Sequence, residues 1–265
     1  MSASSTDPSK GGAAAVSEDS SAADPSAAAQ SASLDLSEKG LKNGKPISLD
    51  RRLFMKFTAF GGCADAGQAS KMLADAGIEG VLYLDANDPR GIGLVVMSED
   101  PDCFVTTLRH VLNAPPFSDM THKPEFDMLG RTYSIGYEPD LEDTLLVKPR
   151  TKTLNPEFRW AVWYPLQRSK LFQTLPEAKQ RQILAEHGSL AKRYGFAGLA
   201  ADIRLACHGL DKNDNDFVIG LLGPDLFPLS AVVQEMRKTE QTSQYLDSLG
   251  PFFVGKVAWQ STAPA

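Results

Sequence analysis

One order of patterned segments occurs twice in this chain, and it constrains the fold more than any other feature. GIGLVVMSEDPDCFVTTLRHVL (91–112) has a counterpart in DFVIGLLGPDLFPLSAVVQEMR (216–237). Each reads as an apolar strand, an acidic-proline turn and a helix. In the first half, RRLFMKFTAF (51–60) alternates apolar with polar residues as a strand does. DAGQASKMLADAG (65–77) has helical spacing and stops at Gly77. IEGVLYLDA (78–86) and GIGLVVMS (91–98) read as strands parted by Asn87, Asp88 and Pro89. DPDCFVTTLRHVLNA (100–114) reads as a capped amphipathic helix and MLGRTYSIGYE (128–138) as a strand. The second half repeats the order. FRWAVWYPL (158–166) is a strand, LPEAKQRQILAEHGSLAKRYG (175–195) a helix, and LAADIRLACHG (199–209) and DFVIGLLG (216–223) are strands. DLFPLSAVVQEMRKTE (225–240) is a helix and GPFFVGKVAW (250–259) the last strand.

Twice β-α-β-β-α-β is the split βαβ unit used twice. The predicted class is therefore α+β: two ferredoxin-like βαββαβ repeats forming a dimeric α+β barrel-like body, with a sheet-lined cavity as a natural ligand site. The spans are 46–145 for the first half, 146–156 for a linker and 157–260 for the second half, with a short tail at 261–265. Residues 1–45 are rich in Ser and Ala with few large apolar side chains, and we expect a disordered tail there. Asp7, Glu18, Asp19 and Asp24 are unlike a mitochondrial transit peptide.

A net charge of −6 and a pI near 5.3 leave no basic surface for a phosphate backbone, so nucleic acid is not an expected partner. Cys63, Cys103 and Cys207 are odd in number and widely spaced, which predicts a reduced, cytoplasmic chain. No apolar run approaches the roughly 20 residues of a membrane span.

One helix carries an unusual residue. Ile183, Leu184, His187, Leu190, Ala191 and Tyr194 share a face at i, i+3, i+4, i+7 spacing, so His187 points at the body of the protein. It reads either as a hydrogen-bonded core histidine or as a metal ligand. WYPLQR (163–168) on the preceding strand and MRKTEQTSQY (236–245) near the chain's end bring aromatic, basic and acidic groups. A carboxylate there could take the other ring N–H and fix the tautomer.

Taken in order, YPLQR, LPEAKQRQILAEHG, KRYG, GLDKNDNDF, EMRKTEQTSQY and GPFFVGK resemble the chlorite dismutase family. The likeness is nearest to its coproheme decarboxylases, which use peroxide to make heme b. It is strongest over 158–256 and rests on element order over 50–150. The resemblance implies heme b or iron coproporphyrin III (coproheme) as cofactor, with His187 as the iron ligand and Glu240 as the acid that orients it. It implies that Tyr164 becomes a radical, that Arg237, Arg168 and Thr242 hold propionates, and that Phe172 replaces a tryptophan beside the heme. Porphyrin and hydrogen peroxide are the implied partners and a homopentamer the implied assembly.

The sequence departs from the family on the distal side. The position held by arginine or glutamine in the family falls at Ala200 counting forward from His187, and at Asp202 counting back from the GLDKNDND turn. Both share a strand face with Arg204, and Asp202 is the better-aligned occupant. Peroxide-dependent coproheme decarboxylation is thus expected ahead of chlorite dismutation or general heme peroxidase activity, with non-catalytic heme binding or sensing as a further alternative. From its position alone, at a plausible strand end in WYP, Tyr164 also reads as an interface or core aromatic. His110 and His122 are unremarkable; His208 is a lesser distal candidate beside Cys207, which reads as a small buried apolar residue.

Overall fold

A computed structural model describes residues 34–262. Residues 1–33, most of the tail expected over 1–45, and 263–265 lie outside the described residues. The rest of that tail is structured: β1 (Glu38–Lys42) and β2 (Lys45–Leu49) form an antiparallel hairpin. The Glu38 carboxylate anchors it by bonding Arg131 and Ser134. These charged contacts lie more than 90 residues apart in sequence, so local composition could not show them.

The first half runs β3 (Phe54–Gly61), α1 (Ala66–Asp75), β4 (Gly80–Asp85), β5 (Ile92–Ser98), α2 (Thr107–Leu112), β6 (Thr121–His122) and β7 (Met128–Arg131). Asp65 caps α1 by accepting from the Gly67 N–H, and Gly77, at φ +65°, takes the left-handed conformation that ends it. The single helix predicted over 100–114 is a 3-10 turn, Pro101–Phe104, followed by the short α2. The stretch predicted as a linker, 146–156, is a folded helical bridge: a π-helical turn (Asp143–Val147) and then α3 (Lys148–Thr153). Leu145, Leu146 and Leu154 are apolar enough to pack into the main core, which orders the bridge.

The second half runs β8 (Trp160–Arg168), α4 (Lys170–Thr174), α5 (Glu177–Phe196), β9 (Ala201–Ala206), β10 (Phe217–Gly223), α6 (Leu226–Met236), α7 (Glu240–Gln244), β11 (Leu246–Leu249) and β12 (Phe253–Gln260). The helix predicted over 225–240 is thus two, α6 and α7, with Thr239 between them.

Both halves have the ferredoxin-like strand order, β7-β3-β5-β4 and β12-β8-β10-β9, with every pairing antiparallel. They join at β4–β12 and, through Arg131 and Ala206, at β7–β9. The result is a closed barrel of eight strands, the α+β barrel predicted from the repeat. Closure leaves none of these eight strands as a free sheet edge.

The barrel interior is solid. Phe57, Tyr83, Trp163 and Phe253 are fully buried inside it. Phe57 lies 6.0 Å from Trp163 and 4.8 Å from Phe253, centroid to centroid. Gly220 is opposite Trp163 in the ladder, and a Cβ there would come within 2.5 Å of the indole ring. The interior is therefore no ligand cavity; a ligand must bind on an outer face. Because β4 and β5 have this core on one side and helices on the other, they read as continuous apolar runs.

The Gly220–Trp163 contact can be tested. Gly220→Ala should lower the unfolding free energy by about 1–3 kcal/mol through overpacking. Adding Trp163→Phe, which removes the ring atoms in conflict, should give a loss smaller than the sum of the single changes in a denaturant-unfolding cycle. Strict additivity would show that the two residues do not meet.

Candidate functional site on the outer face of the second-half sheet

The two outer faces differ in chemistry. In the first half, Phe60, Leu73, Ile92, Leu94, Leu108 and Phe117 make a dry core between sheet and helices. In the second half, alternation along β8 turns Ala161 and Trp163 inward and sends Val162, Tyr164, Leu166 and Arg168 outward. On β9, Ile203 and Leu205 face the core, so Asp202 and Arg204 face outward. The ladder aligns Tyr164, Ile219 and Arg204 in one row across β8, β10 and β9, and Val162, Leu221 and Asp202 in the next. A phenol, a carboxylate and a guanidinium thus share a face that in the first half is hydrocarbon.

Helix α5 covers this face loosely. Of its 20 residues only Ile183 is fully buried. Leu190 and Tyr194 pack against the sheet, while Leu184, expected on the same stripe, is 40% exposed. His187 is half-buried. Burial and the Arg204 cation hold its imidazole below its ordinary pKa, against the opposing pull of Asp202, so the ring is neutral at neutral pH. Its Nδ1 lies 3.3 Å from the Thr239 hydroxyl. The orienting acid predicted at Glu240 is not the ring's partner. The Glu240 carboxylate binds Lys179 at 2.8 Å, and its backbone N–H donates to Glu186. Glu240 is the first residue of α7, and the lysine on α5 draws its side chain away.

Tyr164 is buried at 6% exposure and stacks on Phe252, centroids 4.6 Å apart. Burial, and then the Asp202 charge, raise its phenol well above the usual range, partly offset by Arg237, so it is a neutral O–H at any physiological pH. Its hydroxyl has no hydrogen-bond partner among the described residues. Arg237 ends α6 and is exposed. Arg168 is held between two rings, its guanidinium carbon 4.6 Å from the Phe172 centroid and 4.8 Å from that of Phe217. Its Nε–H is buried with no hydrogen-bond partner. A desolvated cation with an orphaned donor suits an anionic ligand. Thr242 lies 3.3 Å from the Thr239 hydroxyl and so joins the histidine's side of the site.

Asp202 bonds Arg204 at 3.0 Å and Lys152 of α3 at 3.5 Å. Burial pushes its carboxyl up, but these two cations outweigh it and the group is ionised. Ala200 is buried in the apolar cluster beneath the helices and offers no polar group. His208 pairs with Asp216 at 3.3 Å and lies edge-on to Phe217, at the rim. Burial pushes the Cys207 thiol up to about 12, and it donates to the Asn215 carbonyl, consistent with an inert core residue. His110 is exposed, and His122 bonds Asp127 in the first half.

Sequence reasoning missed Thr239, Lys152, Phe217 and Phe252. Thr239 had a signal, since a threonine directly before an acidic helix start reads as an N-cap. Its hydroxyl makes no cap bond, and it serves the histidine instead.

A closed α+β barrel with a polar outer face under a helix-borne histidine is the class this geometry defines. A family model described as chlorite dismutase matches residues 106–258, more than half of the chain. The protein belongs to the chlorite dismutase family. Among solved structures, a heme-binding protein from Thermus thermophilus is similar at 18% identity, over 79% of this chain and 92% of that one, with a TM-score of 0.61. A chlorite dismutase from Candidatus Nitrospira defluvii in complex with imidazole is similar at 15% identity, over 79% and 92% of the two chains, with a TM-score of 0.60. A mutant of that enzyme in complex with cyanide gives 14%, the same coverage and a TM-score of 0.61. At these identities the likeness is one of fold. A comparison with curated proteins gave no significant match. Among the described residues, no helix is long and apolar enough to cross a membrane.

The orphaned donor makes a testable point. Arg168→Met should leave the ligand-free protein within about 1 kcal/mol of wild type. Lost cation–π attraction is offset by thioether–aromatic contact and by removal of an unsatisfied buried cation. A loss above about 2 kcal/mol in thermal unfolding would show that Arg168 is a structural residue rather than one awaiting an anion.

Proposed function

We propose that this protein binds an iron porphyrin, heme b or iron coproporphyrin III, between α5 and the outer face of the second-half sheet, and that it decarboxylates coproheme with hydrogen peroxide. The observation that carries the proposal is the pairing of a neutral histidine with an orphaned guanidinium. His187 has its Nδ1 occupied by Thr239, and Arg168 on the facing sheet has a buried donor with no partner. His187 would supply a nitrogen ligand to the iron. Arg168, Arg237 and Thr242 would hold propionate carboxylates by charge-assisted or hydroxyl hydrogen bonds, and Phe172 would pack beside the ring.

When bound, the iron porphyrin supplies the redox centre at which peroxide is reduced. The balance per propionate is simple: CH2CH2COO−, hydrogen peroxide and a proton become a vinyl group, carbon dioxide and two waters. Tyr164 is the chain's candidate for relaying the oxidation. It is buried, neutral and free to lose the proton together with an electron, then recover both from a propionate carbon. Asp202 supplies an ionised, proton-accepting carboxylate on the same face, and Arg204 and Lys152 balance its charge. Glu240, committed to Lys179, would tune the helix side at one remove from the histidine.

Arg204 favours a second reading. An arginine in the row of Tyr164 suits retention of an anionic leaving group, as chlorite dismutation requires. Its ion pair with Asp202 weighs against it. Non-catalytic heme binding is the outcome if neither oxidant is consumed. A homopentamer is part of the same proposal, to be read by light scattering.

The experiment is incubation with iron coproporphyrin III and peroxide, read by mass spectrometry. Each propionate converted should cost the porphyrin one carbon dioxide and two hydrogens. Tyr164→Phe should bind the porphyrin and show no mass loss, and His187→Ala should lose the Soret band of the loaded protein. Continued decarboxylation by Tyr164→Phe would remove the radical role. An unchanged His187→Ala spectrum would remove the ligand role, and rapid oxygen release from chlorite would favour the second reading.

A further inference from the structure

Thr239 is 4% exposed and sits at the corner between α6 and α7, with extended φ and ψ of −68° and 152°. Three groups surround its hydroxyl. The Met236 carbonyl oxygen is at 2.8 Å, His187 Nδ1 at 3.3 Å and Thr242 Oγ1 at 3.3 Å. A hydroxyl has one proton and two lone pairs. The Met236 oxygen can only accept, and it is the closest, so the Thr239 proton goes there. The two lone pairs remain to receive. Nδ1 must then be the protonated nitrogen and donate to Thr239, while the Thr242 hydroxyl donates to the second lone pair. Every site on the oxygen is used.

We infer that Thr239 is the positioning residue that locks His187 in its Nδ1–H tautomer and leaves Nε2 bare. Free imidazole side chains in water favour the opposite tautomer, so the protein has to enforce this one. A bare Nε2 is the form a metal can take, and the bond to the other nitrogen is what fixes ring and tautomer. The partner differs from the carboxylate expected from sequence. A hydroxyl already donating to a carbonyl cannot take the Nδ1 proton, so the ring stays a neutral imidazole and donates less charge through Nε2. The tautomer assignment concerns the chain alone, whereas the consequence for a bound metal rests on the proposed function.

Two measurements on the full chain separate these. In the ligand-free protein with 15N-labelled histidine at mildly alkaline pH, long-range proton–nitrogen correlation should report Nδ1–H for His187. The signal is assigned by its loss in His187→Gln. Thr239→Val should shift it toward the Nε2–H pattern, and Thr239→Ser should restore it, with the other three histidines unmoved as a check on folding. Glu240→Gln should leave it in place. An Nε2–H wild type overturns the inference even if no variant folds. So does an Nδ1–H signal that survives Thr239→Val, or one that moves as far in Glu240→Gln. In the heme-loaded ferrous protein, the iron–histidine stretching band should shift in Thr239→Val and not in Thr239→Ser; no shift in the valine variant overturns the claimed effect on the metal. Failure of the wild type to take up heme would defeat the proposed function and leave the tautomer result standing.

Discussion

Closure of the barrel around Trp163 is the constraint on which the rest depends. The indole occupies the interior because residue 220 on the neighbouring strand is glycine, and it meets Phe57 there. Any larger residue at 220 would force the ring off its seat. With the interior filled, neither half can hold a ligand inside the barrel. Strand alternation then fixes where the neighbouring side chains go. If Trp163 is inside, Tyr164 must be outside, and so must Arg168, two alternations further on. The chemistry of the outer face is therefore set by the packing of the inner one.

The halves share this frame and diverge in what they place on its outer side. Aliphatic and phenyl groups cement α1 and α2 to the first sheet. The second sheet presents Tyr164, Asp202 and Arg204, and its covering helix buries one residue fully out of 20. A helix seated so lightly depends on polar anchors. Tyr194 of α5 donates to Glu235 of α6 at 2.7 Å, and Lys179 pairs with Glu240 of α7. These contacts join the apolar packing of Leu190 and Tyr194 in holding His187 over the sheet. The helical bridge contributes as well, since Lys152 of α3 reaches Asp202. A segment read as linker thus helps to set the charge of the site.

Much of the fold was legible because it rests on periodicity. The repeated β-α-β-β-α-β order and the stop at Gly77 are local signals, and each of the eight barrel strands overlaps a segment they marked, three of them running one or two residues past it. The hairpin at Glu38–Leu49 was missed, since its strands are short, charged and held by Arg131 and Ser134 far along the chain. The strand expected over 128–138 stops at Arg131, because the backbone N–H groups of residues 135–137 turn to the Glu138 carboxylate. In the site, Tyr164, Arg168, Phe172, His187, Asp202, Arg237 and Thr242 were all named from motifs and lie on the outer sheet face or the elements against it. The partner of His187 was misread, as Glu240 is one residue past the group that makes the bond.

By itself, the sequence determined which residues share a face: spacing along a strand or helix is fixed by backbone geometry, whatever packs around it. It placed Tyr164 opposite Trp163 and turned His187 toward the body of the protein. Only the tertiary structure decided which face was filled and which stayed polar, because that depends on Gly220 meeting Trp163 across a strand pair. It also decided that Thr239 bonds His187 while Glu240 turns to Lys179. Those bonds join residues more than 50 positions apart. The choice between partners depends on how α5 sits against the α6–α7 corner, and no periodicity in the chain carries that placement.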